Sequence, residues 1–213
     1  HAYQIACTRA QLGEDCAVAA VMSGHWVQGG RPAITDKWTR TKLALLGGAD
    51  LVLELPTVWA VSSAETFARG AVELLAAAQV VDVLSFGSEC GDADKLRRAA
   101  ICLNSPEYEA GLRRLVEGGT PFAAARQRAV EGLLGPELAE LLSTPNNNLG
   151  VEYIRALDRL NHEIRPMTIR REGAPHDSLL LGTERPRFCS ATQLRAFLDG
   201  KDWAALEPYL PQN

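Results

Sequence analysis

The residues best suited to chemistry in this 213-residue chain sit where apolar runs end. Residues 21–56 read VMSGHWVQGGRPAITDKWTRTKLALLGGADLVLELP: an apolar run breaks at Ser23-Gly24-His25, passes a Gly29-Gly30 loop and re-enters an amphipathic segment at Asp36. Glycines at the carboxyl end of a buried strand let backbone amides approach a phosphate, and a helix N-terminus there adds partial positive charge. Ser85-Phe86-Gly87-Ser88-Glu89 reads as a second such exit. Taken singly, each glycine would only turn the chain. Right-handed crossovers place both exits on one edge of a parallel sheet, and that joint placement predicts a nucleotide site. Further along, Cys189-Ser190-Ala191-Thr192-Gln193-Leu194-Arg195 sets two hydroxyls at a helix start with a guanidinium one turn in, a set able to hold phosphate. Alone, it reads as a serine N-cap beside a solvated arginine. Asn146 and Asn147 open a helix after Pro145, at least one of them as a cap, and Arg170-Arg171 closes a strand where paired arginines can meet phosphate. His25, His162 and His176 lack metal-ligand spacing, and neither G-x-x-x-x-G-K-[ST] nor G-x-G-x-x-G occurs. Those absences count against a zinc site, a P-loop and a standard dinucleotide fold.

The elements that must position these residues follow from periodicity. Residues 3–11 read as a helix and 16–22 as a strand buried on both faces. Asp36 caps a helix through 46 that Gly47-Gly48 stops, and a strand over 50–55 ends at Pro56. Ser62 or Ser63 starts a helix to 79, with Glu65 as the second half of a capping box, and 80–86 is a third strand. Residues 94–142 are helical throughout, with Pro106, Pro121 and Pro136 near helix starts. A helix over 146–160, an alternating strand over 164–171, a loop over 173–187 and helices over 191–198 and 203–210 complete the chain. The expected organisation is α/β: a nucleotide-binding core over 1–93, a helical insertion over 94–143, and the rest of the core with C-terminal helices over 144–213.

With 22 basic and 26 acidic side chains the net charge is -4, so the bulk electrostatics do not point to nucleic acid. Cys7, Cys16, Cys90, Cys102 and Cys189 contain no C-x-x-C pair, which predicts free thiols in a reducing compartment, the cytoplasm. No apolar run is long enough to span a bilayer, and the first residues have neither a basic start nor an apolar core, so neither a membrane nor a secreted protein is expected.

Taken together, the ordered motifs resemble the bacterial tRNA(Met) cytidine acetate ligases, a family of the HIGH-type nucleotidyltransferase superfamily. The resemblance is carried by residues 21–56, SSAETFARGAVELL (62–75), VVDVLSFGSECGD (80–92), PFAAARQRA (121–129), PNNNLGVEYIRAL (145–157), IRREGAPHDS (169–178) and CSATQLRAFL (189–198). It implies a Rossmann-like parallel sheet with a helical insertion, and an enzyme that activates acetate with ATP as acetyl-adenylate. The acetyl group then passes to the wobble cytidine N4 of elongator tRNA(Met), giving N4-acetylcytidine; Mg2+ is admitted as an accompanying ion, and no protein metal site is expected. By this resemblance His1, Gly87, Asn146 or Asn147, Arg171, Ser190 and Thr192 contact ATP, and His1, Ser190 and Arg195 are catalytic. Ser190, Thr192 and Arg195 match the superfamily's I-S-S-T-x-x-R phosphate motif, with Cys189 in place of one serine. Asp36-Lys37 matches a further motif without an implied role. His1 aligns with the second histidine of the family's H-x-G-H motif, so the first strand, the first histidine and a C-terminal region of the family lie outside these 213 residues. Gln28-Gly29-Gly30 stands where arginine-glycine is usual. Those departures keep two alternatives in view: a catalytically inactive nucleotide- or RNA-binding module, and another nucleotidyltransferase.

Overall fold

A computed structural model describes residues 2–160, 163–172 and 188–210. The chain forms two units, His1–Arg170 and Arg171–Asn213.

In the first unit the order is α1 (Ala2–Leu12), β1 (Ala19–Ser23), β2 (Trp26–Val27), β3 (Arg31–Pro32), α2 (Lys37–Leu46), β4 (Leu51–Leu55), α3 (Thr57–Ala60), α4 (Ala64–Ala78), β5 (Val83–Ser88), α5 (Ala93–Leu103), α6 (Pro106–Glu117), α7 (Phe122–Leu134), α8 (Pro136–Glu140), α9 (Pro145–Leu160) and β6 (Arg165–Arg170). Local chemistry sets many of these boundaries. Asp36 accepts from the amides of Trp38 and Thr39 to start α2, and Ser105 caps α6 with Pro106 at its first position. Ser63, not Ser62, caps α4, accepting from Thr66. Glu65 therefore falls one position short of a capping box and instead pairs with Arg159 at 3.0 Å.

Parallel ladders join β1 to β4, with Ala19 opposite Leu51, and β5 to β6, with Val83 opposite Arg165; no pairing among the described residues links one ladder to the other. β1 is accordingly half-exposed rather than buried on both faces, because it pairs along one side. The Gly29-Gly30 loop is the turn of a short hairpin between β2 and β3, both glycines having positive φ. No helix among the described residues is long and apolar enough to cross a membrane.

α9 organises the core. β5 alternates, turning Leu84, Phe86 and Ser88 inward, and α9 lies so close that a Cβ at Gly150 would stand 2.7 Å from the Phe86 ring. Tyr153 packs on the same ring with centroids 5.5 Å apart. α4 and α5 flank α9 through Val72, Leu75, Leu96 and Leu103, and the helical block joins the same core through Val130 and Leu138. Each fully buried aliphatic side chain contributes about 1.5–3 kcal/mol.

The helical block is also held electrostatically. Glu152 on α9 is 1% exposed and takes Arg155 at 2.8 Å and Arg126 of α7 on its two oxygens. Arg155 continues to Asn104 Oδ1 at 3.1 Å and the Leu103 carbonyl at 3.3 Å, closing the end of α5. Removing the carboxylate would leave two guanidinium groups facing each other in a dry site. Glu152→Gln is therefore expected to lower the unfolding free energy in urea by about 3 kcal/mol; a loss below about 0.5 kcal/mol, the range of ordinary surface substitutions, would remove the triad from the stability account.

Candidate functional site

β5 runs to Ser88, so Gly87 is a strand residue opposite Ile169 and not part of a loop. The reason is the alternation: Phe86 and Ser88 both belong to the buried face, and Ser88 is fully buried. A buried hydroxyl needs partners. The Ser88 Oγ accepts from Thr168 Oγ1 at 2.6 Å and from the Gly91 amide at 3.0 Å, which folds the exit back on itself. Gly91 has φ +64° and a Cβ there would lie 2.6 Å from the Cβ of Arg170, so this turn needs glycine twice over.

The next residue fastens the exit to α9. The Glu89 carboxylate accepts from the Asn147 amide at 2.7 Å on one oxygen, and from the Asn146 side-chain amide at 2.6 Å and the Asn146 backbone amide at 3.2 Å on the other. A carboxylate at free helix amides is the arrangement that the helix dipole favours. Asn147 returns the connection: its Oδ1 accepts from the Cys90 amide at 3.0 Å and its Nδ2 donates to Thr144 Oγ1 at 2.6 Å. The two asparagines are thus distinguished. Asn147 is 3% exposed and both ends of its amide face inward, whereas Asn146 is only half-buried. Neither is the cap, since the first backbone bond of α9 runs from Asn148 to the Thr144 carbonyl. Nothing in the sequence pattern marked Glu89 as the partner, because it is 57 residues from Asn146.

At the exit of β1, Arg40 donates to the carbonyls of Ser23 and Gly24 at 2.8 and 2.7 Å. A Cβ at Gly24 would stand 2.2 Å from Glu54 Oε1, and Glu54 pairs with Lys37 at 2.7 Å. Lys37, in the motif without an implied role, therefore sits at the carboxyl end of β4. His25 is exposed. Among the described residues no group of three or more His, Cys, Asp or Glu side chains could hold a metal ion.

The second unit holds α10 (Ala191–Asp199) and α11 (Trp203–Leu206). Ser190 is 2% exposed and caps α10, accepting from Gln193 at 3.0 Å. Thr192 is half-buried, and Arg171 and Arg195 are exposed. This donor set of hydroxyls, guanidinium groups and a helix start suits phosphate. Burial pushes the Cys189 thiol up against the opposing pull of the Ser190 amide. His1 and the expected loop over 173–187 lie outside the described residues. A cavity of about 410 Å³ in the helical block, lined by Glu107, Arg114 and Arg128 among others, includes none of the expected site residues.

The model of the HIGH Nucleotidyl Transferase family matches residues 1–213. A tRNA(Met) cytidine acetate ligase of Caldanaerobacter subterraneus is 46% identical over 91% of this chain and 48% of its own, and one of Clostridium kluyveri is 41% identical over 100% of this chain and 54% of its own. Thermotoga maritima TmcAL has the same fold, with TM-score 0.90 at 37% identity, covering 100% of this chain and 51% of that one. A second crystal structure of that protein, bound with alpha-thio ATP, matches 99% of this chain and 50% of its own with TM-score 0.87. The chain spans about half the length of these relatives.

Burial works to raise the Glu89 carboxyl, but the Asn146 side chain and the backbone amides of Asn147, Glu89 and Asn146 outweigh it and hold the group below its ordinary 4.5. The folded state therefore binds this proton less readily than the unfolded one. Its contribution to stability is complete above the unfolded value and is lost as pH falls through the folded one. The difference in unfolding free energy between wild type and Glu89→Gln is expected to be constant from pH 7 to about 5.5 and to shrink below 4.5. A difference that does not change with pH would show that the carboxylate's charge is not what holds α9.

Proposed function

The chain belongs to the HIGH nucleotidyl transferase family, and from that premise we propose that it is the nucleotide-binding part of a tRNA(Met) cytidine acetate ligase. One observation carries the reading: a protein of the same fold, 37% identical over 99% of this chain, binds an ATP analogue. In the reaction an acetate oxygen attacks the α-phosphorus of ATP and pyrophosphate leaves. The N4 amine of the wobble cytidine in elongator tRNA(Met) then attacks the acetyl carbon, AMP leaves, and the amine gives up a proton. Both steps ask for alignment and for stabilised charge on phosphate oxygens, which positioned donors supply.

In this reading Gly87, without a side chain near the end of β5, lets the nucleotide approach the strand, with Asn146 beside it rather than Asn147. Arg171, Ser190, Thr192 and Arg195 serve the phosphates, and His1 joins them. Capping does not disqualify Ser190, because the cap uses an oxygen lone pair and a phosphate would take the hydroxyl proton. Mg2+ would travel on the nucleotide's own phosphates, as it does where one or two carboxylates and water complete its shell. Residues 1–93 and 144–213 form the nucleotide-binding core in this proposal, 94–143 is the helical insertion, and the protein works in the cytoplasm, where ATP, acetate and tRNA meet.

Acetate-dependent exchange of labelled pyrophosphate into ATP, measured on the intact protein, tests the first step. Exchange that requires acetate is expected; ATP binding without exchange would favour a non-catalytic nucleotide-binding module. Arg171→Ala is expected to weaken ATP binding by about 1–3 kcal/mol, the usual cost of losing a charged hydrogen bond, read by calorimetry. Unchanged affinity would remove Arg171 from the site.

A further inference from the structure

We propose that Glu89 is a positioning residue of the nucleotide site: it turns the Asn146 side chain so that its oxygen, not its nitrogen, is offered to the ligand. The inference rests on the reading of this site as an ATP site and goes beyond it, because the resemblance left Asn146 and Asn147 undivided and gave Glu89 no role.

The argument is one of donors and acceptors. An ionised carboxylate only accepts hydrogen bonds, so the group of Asn146 that lies 2.6 Å from Glu89 must be its NH2. The amide is planar, so fixing the nitrogen toward Glu89 turns the Oδ1 to the other side. The same carboxylate is anchored by the backbone amides of Asn146 and Asn147, which prevents it from following the side chain if the amide were to flip. Asn147 cannot substitute, since its oxygen takes the Cys90 amide and its nitrogen gives to Thr144. What Asn146 presents is then an acceptor, and an acceptor reads N–H or O–H groups.

ATP carries such donors only at its nucleoside end, in the 6-amino group of adenine and the ribose hydroxyls; its phosphates accept. Asn146 therefore recognises the nucleoside, and the phosphates fall to the guanidinium and hydroxyl groups. Glu89 controls this selectivity without touching the ligand.

Calorimetric ATP binding to the intact protein, with thermal unfolding as a folding control, tests this on wild type, Glu89→Gln, Asn146→Ala and the double variant. Each single substitution is expected to weaken ATP by roughly tenfold or more, and the double variant to bind no more weakly than Asn146→Ala, because both act through one hydrogen bond. Additive losses, or wild-type affinity in Glu89→Gln, would overturn the proposal. A second arm uses Asn146→Ala with purine riboside triphosphate, which lacks the 6-amino group, and with 2′- and 3′-deoxy-ATP. One of these analogues is expected to bind wild type more weakly than ATP and to bind Asn146→Ala as well as ATP, and which one it is identifies the base or the ribose as the group read. Equal discrimination by wild type and variant against all three would overturn the proposal even if Glu89→Gln failed to fold. Absence of ATP binding by the folded wild type would instead refute the ATP reading itself.

Discussion

A helix of sixteen residues cannot be buried by its N-terminal end unless something satisfies its free amides, and in this chain that something is one carboxylate. Glu89 meets the start of α9 directly after the last residue of β5, so strand exit and helix start are one structure. Most of the first unit leans on α9: α4 and α5 pack along it, β5 lies beneath it, and the helical block reaches it through Arg126. Were α9 to slide by one turn, the Phe86 ring would lose the gap at Gly150 and Asn147 would lose the Cys90 amide. The geometry of the proposed nucleotide site is thus set by the same contacts that hold the core.

Two carboxylates on this helix's surroundings are buried to different degrees and are stabilised differently. Glu89 is answered by neutral amides and a helix dipole, which cannot move away and need little desolvation of a second charge. Glu152 is answered by two guanidinium groups, both taken from water, which makes its removal costly without making the triad a net source of stability. The first arrangement suits a site that must accept a charged ligand nearby, since no mobile cation is left to compete for it. The second suits the deep junction of α5, α7 and α9, where three helices must keep a single register.

Much of this was legible in the sequence wherever the determining interaction is local. Asp36, Ser105 and Pro106 are caps or first-turn residues whose partners lie within four positions, and the helices they start were read from the chain alone. The misreadings have a common cause in distance along the chain. Gly87 looked like loop because the inward turn of Ser88 depends on Thr168, 80 residues away. Asn146 and Asn147 looked like caps because their partner, Glu89, lies in another element. β1 looked fully buried because an apolar run says nothing about how many sides of a strand are paired.

A motif transfers residue types, but it does not say which atom of each residue faces the ligand. In the PNNN segment adjacent asparagines have opposite fates: one amide spends both ends inside the fold, and the other is held at one end by a charge. The helical twist forces that division, because successive residues in the first turn point about 100° apart and only one can face the strand exit. A sequence with two asparagines at this place therefore encodes a structural residue and a recognition residue, and Glu89 determines which polarity the second one shows.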